Sequence, residues 1–108
     1  MRIVHLIGGG DEGGAKSHVL SLIQALSAHM AVTLISFRRG PFHDDAVAMG
    51  LDAHVIHDRT LVSEVRHALR VVRSAPCDLL HAHGAKGNLV GLLLRRITGI
   101  PLVTTVHS

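Results

Sequence analysis

The sequence predicts an α/β fold: a Rossmann-like three-layer sandwich built on a parallel sheet of about five strands. Three observations predict it. Short apolar runs alternate four times with stretches of helical period, and a last apolar run follows. The connections are short, which in such a pattern means right-handed crossovers and parallel strands. Five glycines fall within Gly8–Gly14, between the first apolar run and the first helical stretch. The expected strand order is 3-2-1-4-5, one half of a doubly wound sheet.

Each element follows from its local pattern. Arg2–Ile7 (RIVHLI) reads as a strand buried on both faces. After the glycines, Ala15, Val19, Leu22, Ile23, Leu26 and Met30 mark the inward face of a helix. Ala31–Phe37 is a second strand, rich in β-branched residues. Arg38–Pro41 is a turn, and His43–Met49 a short helix stopped by Gly50. Asp52–Ile56 is a third strand. Thr60–Ser74 is a helix with Leu61, Val62, Val65, Leu69 and Val72 inward and Arg66, Arg70 and Arg73 outward. Asp78–Ala82 is a fourth strand. Gly84–Thr98 is a helix with Leu89, Leu92, Leu93 and Ile97 as its core face, ended by Gly99-Ile100-Pro101. Leu102–Val106 is the fifth strand.

Composition narrows the function classes. The chain has 108 residues, 47% of them apolar, which suffices for one small core. No apolar run is long enough to span a bilayer, and MRIVHLI lacks the features of a signal peptide. A single cysteine, Cys77, allows no internal disulfide, so a cytoplasmic protein is expected. The net charge of +3 suits an anionic ligand or surface. With Phe37 and Phe42 as the only aromatic residues, no stacking platform for nucleic acid is expected.

The switch point of a 3-2-1-4-5 sheet lies between strands one and four. The glycine loop, Ala82–Asn88 and Val106–Ser108 converge there. Glycine lets the backbone approach a ligand without a Cβ in the way, and the helix N-terminus behind it favours an anion. A phosphate, a diphosphate or a sugar hydroxyl fits such a loop. A plain strand-to-helix turn needs fewer glycines. Asp11 and Glu12, also in the loop, either accept from a hydroxyl or face water.

Ten histidines is a high count. Their spacing shows no CxxC or HExxH pattern and no adjoining carboxylate cluster, so no metal site is expected. His81 and His83 are two apart and share a strand face. His83, at the strand's carboxyl end, is the candidate polar site residue; His81 reads as a packed strand residue. His107, after the fifth strand, and His18, in the first turns of the first helix, are further candidates. His5, His29, His43, His54, His57 and His67 read as structural or solvated.

Three segments resemble family-4 glycosyltransferases of the GT-B fold. GGAKSHVLSLIQAL (Gly13–Leu26) resembles the start of their first helix, where GGAE or GGVQ precedes HV and a leucine-rich stretch. DLLHAHGAKGNLVGLL (Asp78–Leu93) resembles their fourth strand and following loop, with its D-hydrophobic-hydrophobic-H-x-H pattern. GIPLVTTVHS (Gly99–Ser108) resembles their next strand. The segments come in the family's order and spacing and cover most of the chain.

The resemblance implies retaining transfer of a sugar from a nucleotide-sugar donor to an acceptor such as a lipid carrier, a glycan or a small molecule. The nucleotide-sugar is then a substrate, and no cofactor or metal is implied. It also implies two Rossmann-like domains facing across a cleft, with residues 1–108 as part of the N-terminal, acceptor-side one. The donor-side domain, with its Glu-x7-Glu motif, has no counterpart here, so the chain is expected to be a fragment without transfer activity and prone to self-association. Carried over by position, Gly13 and Gly14 lie near the donor diphosphate, with Lys16 and His18 following. Gly84 and Lys86 follow His83 in the second loop. His83 is the candidate catalytic residue, near the reacting centre, and His107 lies at the same cleft. Lys16 replaces the commoner Glu or Gln, and Ser108 the commoner Gly. Many relatives work on lipid carriers, so the basic stripe Arg66–Arg70–Arg73 is a candidate contact with the inner face of a membrane; a solvated helix face is the plainer reading.

Two other readings compete. Gly8-x-Gly10-x-x-Gly13 has the form of a dinucleotide fingerprint, and Arg38-Arg39 ends the second strand where an NADP-binding oxidoreductase holds the 2′-phosphate. The absence of an Asp or Glu there disfavours NAD. A non-catalytic binding module is the third reading.

Overall fold

The computed structural model describes residues 1–8 and 14–105, with 14–19 as backbone only. Its elements are β1 (Arg2–Ile7), α1 (Gly14–Leu26), β2 (Ala31–Ser36), α2 (Pro41–Ala48), β3 (Asp52–Val55), α3 (Leu61–Arg73), β4 (Leu79–His83), α4 (Gly84–Thr98) and β5 (Leu102–Thr105). The five strands form one sheet in the order β3-β2-β1-β4-β5, and every pairing is parallel. This is the α/β class and the strand order expected from the sequence.

Alternation along the strands divides the core in two. Val4, Leu6, Ile35, Leu80 and Ala82 pack with Val65, Ala68, Val72, Val90 and Leu94 of α3 and α4. Ile7, Val32 and Leu34 pack on the opposite face with Leu20 and Ile23 of α1 and with Phe42 and Ala46 of α2. Both faces are covered, which is why β1 reads as a nearly continuous apolar run.

Several helix ends carry their own signals. Thr60 caps α3, its hydroxyl accepting from the backbone N–H of Ser63. Proline opens α2 at Pro41, two residues earlier than its apolar pattern indicates, because the ring is preorganised for a first helical position. Gly99 ends α4 in the left-handed conformation, its N–H bonded to the Arg95 carbonyl. Arg2 closes the far end of α3: its guanidinium donates to the carbonyls of Val71, Val72 and Ala75 at 3.0 Å each. A cation there opposes the negative end of the helix dipole and anchors α3 to the start of β1.

The helix faces depart from expectation in three places. Leu22 of α1 is exposed, and Leu20 takes the inward position beside Ile23. Val62 of α3 is 67% exposed, while Glu64, Val65, Ala68, Val71 and Val72 form the buried stripe. On α4 the correction is larger: Leu89, Leu92 and Ile97 are about half exposed, and the buried residues are Gly87, Val90, Gly91 and Leu94. The cause is distance. A Cβ on Gly87 would sit 2.4 Å from the Leu6 carbonyl oxygen, and one on Gly91 would meet Leu102 at 3.0 Å and Ala82 at 3.3 Å. At Gly87 the helix runs too close to β1 for any side chain, and at Gly91 the side chains of Leu102 and Ala82 fill the space.

Gly87→Ala is therefore expected to cost about 2–3 kcal/mol, since the clash is with backbone that cannot swing away. Leu92→Ala, at an exposed position, should stay within roughly 0.5 kcal/mol of the parent. Urea midpoints of the two variants check both expectations.

Candidate functional site

The carboxyl ends of β1 and β4 meet at the switch point. The backbone N–H of Gly8, just past β1, donates to the carbonyl of His83 at 3.3 Å. His83 ends β4 and is the N-cap residue of α4, without a side-chain capping bond. Gly84 follows with φ +79°, a backbone that a residue with a Cβ adopts only under strain. A Cβ at Gly8 would lie 3.9 Å from the Cβ of Lys86. Gly8, His83, Gly84 and Lys86 thus come together, with the first turn of α4 bringing its positive dipole end to the strand ends.

Of the other predicted site residues, Gly14, Lys16 and His18 belong to α1, which begins at Gly14 as the glycine-loop reading expects. Gly13 and His107 lie outside the described residues, as do Asp11 and Glu12.

Lys86 is more committed than its sequence position suggests. Its Nζ lies 2.5 Å from Oε1 of Glu64, a carboxylate in the first turn of α3 that is only 4% exposed. The ammonium also stands 6.0 Å from the centre of the Phe37 ring. A buried carboxylate without a partner is costly, so this pair ties α3 to α4 at the rim of the site. The pairing escapes sequence reading because it spans 22 residues and needs both helices on one face of the sheet.

The histidines hold the main surprise. Parallel pairing sets His5 of β1 directly opposite His81 of β4, with His83 on the same sheet face two residues on. His5 is fully buried, His83 is 5% exposed and His81 is half-buried. The three rings stack: His81 on His83 with centroids 4.1 Å apart, and His5 at 5.1 and 5.4 Å from them. His5 Nδ1 and His83 Nε2 share a hydrogen bond of 3.1 Å, and His81 Nε2 bonds the Thr105 hydroxyl at 2.6 Å. His81 is thus the packed, hydrogen-bonded strand residue expected. His5, read from sequence as structural or solvated, is the centre of a polar cluster within the sheet's α1–α2 layer.

Burial, reinforced by the charges its two neighbours would carry, pushes His5 down from 6.5 to about 3. Burial also lowers His81. His5 is therefore neutral at physiological pH, its imidazole offering one donor and one acceptor nitrogen.

Comparison with known proteins places this geometry in context. Residues 12–108 match the model of Glycosyltransferase Family 4. HepE of Anabaena, solved with UDP and glucose, superposes with a TM-score of 0.85 at 21% identity, over 100% of this chain and 30% of HepE. A glycosyltransferase from Rickettsia africae gives 0.81 at 12% identity, over 98% of this chain and 30% of that one. MurG of Acinetobacter baumannii gives 0.76 at 16% identity, over 95% and 34%. The chain thus spans about a third of the length of these structures and shares the fold of that portion. The search of curated proteins finds no significant match.

The His5 shift sets a pH dependence. Between pH 6.5 and about 3 the unfolded chain carries a proton on His5 that the folded chain excludes. Stability is full above the unfolded value and falls as pH drops through that window, by up to about 1.4 kcal/mol per pH unit. In metal-free buffer, His5→Leu should flatten the fall in melting temperature across the window; an unchanged slope would remove His5 as its source. With its matched residues covering nine-tenths of the sequence, the chain belongs to Glycosyltransferase Family 4.

Proposed function

We propose that residues 1–108 form the acceptor-side, glycine-loop part of a retaining glycosyltransferase. It passes a sugar, of the hexosyl type, from a nucleotide-sugar to a lipid carrier, a glycan or a small-molecule acceptor. The observation that carries this reading is the family match over residues 12–108, joined to the convergence of Gly8, His83 and Gly84 at the switch point. HepE has been solved with UDP-glucose, which supports a nucleoside diphosphate sugar as the ligand class.

The chemistry follows from the local geometry. Free N–H groups of the first turn of α4 favour the diphosphate, and positive-φ Gly84 keeps side-chain bulk away from it. His83, hydrogen-bonded to His5, is the candidate catalytic imidazole, placed to exchange a hydrogen bond or proton with a hydroxyl or phosphate oxygen at the reacting centre. A second Rossmann-like domain, outside this chain, supplies most donor contacts. Transfer then needs both domains, and the chain alone binds donor weakly without turnover. The place of action is the cytoplasm or the inner membrane face.

Saturation-transfer NMR of the full chain with UDP-glucose tests this. Saturable, weak binding is expected, lowered roughly tenfold by His83→Gln, the value of about one good hydrogen bond. Binding of NADP with none of UDP-glucose would favour the dinucleotide reading instead. Turnover of UDP-glucose by the 108-residue chain would overturn the division of labour.

The membrane contact rests on Arg66, Arg70 and Arg73, all exposed on α3. Arg66 and Arg70 line two open depressions of about 380 and 480 Å³. Sedimentation with vesicles containing anionic lipid should show binding that weakens as salt rises. Equal binding to neutral vesicles, or insensitivity to salt, would reject this contact.

A further inference from the structure

The transferase reading uses His83, gives His5 only the hydrogen bond to it, and leaves His81 without a task. Three imidazoles on adjacent parallel strands are more than a buried layer needs for packing, because each brings two polar nitrogens out of water. Each residue offers a ligand nitrogen, and these nitrogens all lie within 4.8 Å of one another. The separation of His5 Nδ1 and His83 Nε2 is 3.1 Å. Two imidazoles bound to one zinc ion at about 2.0–2.1 Å stand roughly 3.3 Å apart in tetrahedral geometry. The nitrogen separation in the cluster is thus within a few tenths of an ångström of that in a zinc-bound pair.

We infer that His5, His81 and His83 form a binding site for a divalent cation of the zinc class. The inference stands apart from the transferase reading, since only the three side chains and their neighbours carry it. The donor set selects the ion: three imidazoles and no carboxylate suit zinc, copper or nickel rather than magnesium or calcium. Thr105 supplies outer-shell support. Its hydroxyl engages His81 Nε2 at 2.6 Å, fixing the ring and leaving Nδ1 as the nitrogen open to a cation.

Access comes from the β5 side. His81 is half-buried, and Val103, its partner in register on β5, is 46% exposed. Three protein ligands leave a fourth position for water or a substrate oxygen. Sequence spacing hid the site because two ligands lie on β4 and the third is 76 residues earlier, opposite His81 in the sheet.

The test is titration of the chelator-stripped full chain with Co2+, followed by displacement with Zn2+. One Co2+ per chain is expected, with the ligand-field absorption of a four-coordinate nitrogen site that Zn2+ abolishes. Thr105→Val should weaken binding roughly 10- to 100-fold, and His81→Gln by more than that. X-ray absorption of the zinc-loaded parent should count three imidazoles. Nitrogen-15 spectra should show zinc shifting the rings of His5, His81 and His83, a readout on the parent protein that holds even where a variant fails to fold. Unsaturable binding, undiminished binding in folded His81→Gln, or shifts confined to other histidines would overturn the site and leave a neutral, hydrogen-bonded stack.

Discussion

The approach of α4 to β1 sets the position of everything at the crevice. At Gly87 the helix lies so near the Leu6 carbonyl that no Cβ fits, and at Gly91 it meets Leu102 and Ala82 at the limit of contact. Glycine inside a helix costs about 1 kcal/mol in propensity, and here two of them return it by letting the helix settle onto the sheet. A helix held at that distance has little freedom to slide or rotate. Its first turn is then fixed beside Gly8, its dipole aims at the ends of β1 and β4, and Lys86 reaches Glu64.

That same closeness explains which part of the fold the sequence disclosed. Element types, order and sheet topology were legible because period and connection length are local properties. Gly99 announced the end of α4 by its own chemistry, whereas Pro41, read as part of a turn, opens α2, and Thr60, read as the first helical residue, caps α3. The buried face of α4 was not legible. Hydrophobicity selects its leucines and isoleucine, whereas the contact distance selects its glycines, so Leu89, Leu92 and Ile97 are left at the surface. A Gly-x-x-x-Gly spacing at 87 and 91 was the available signal. On α3, Glu64 sits inside the helix's buried stripe because Lys86 neutralises it, a fact held 22 residues away.

The site divides in the same manner. His83 and Gly84 were visible because a strand's carboxyl end is a known address for ligands in such sheets. His5 was not, since its role depends on parallel register rather than on neighbours in sequence. Once His5 faces His81, the electrostatics follow: burial, with two further imidazoles beside it, keeps a proton off His5, and burial lowers His81 as well. A neutral His5 both donates and accepts, so it holds His83 without placing its own charge in the core.

Lys86 shows how charge is apportioned at the rim. Its ammonium sits on a buried carboxylate at 2.5 Å, and an incoming diphosphate would have to compete with Glu64 for it. Pulling the ammonium away would strand that carboxylate in a low-dielectric layer, a cost that exceeds the gain from one more solvent-facing ion pair. The backbone N–H groups of α4 bear no such obligation. A helix start leaves them without intrahelical partners, and they stay in place whether or not an anion is near. On the proposed reading an anion meets the glycine-bounded backbone first, while Lys86 holds together the two helices that flank it.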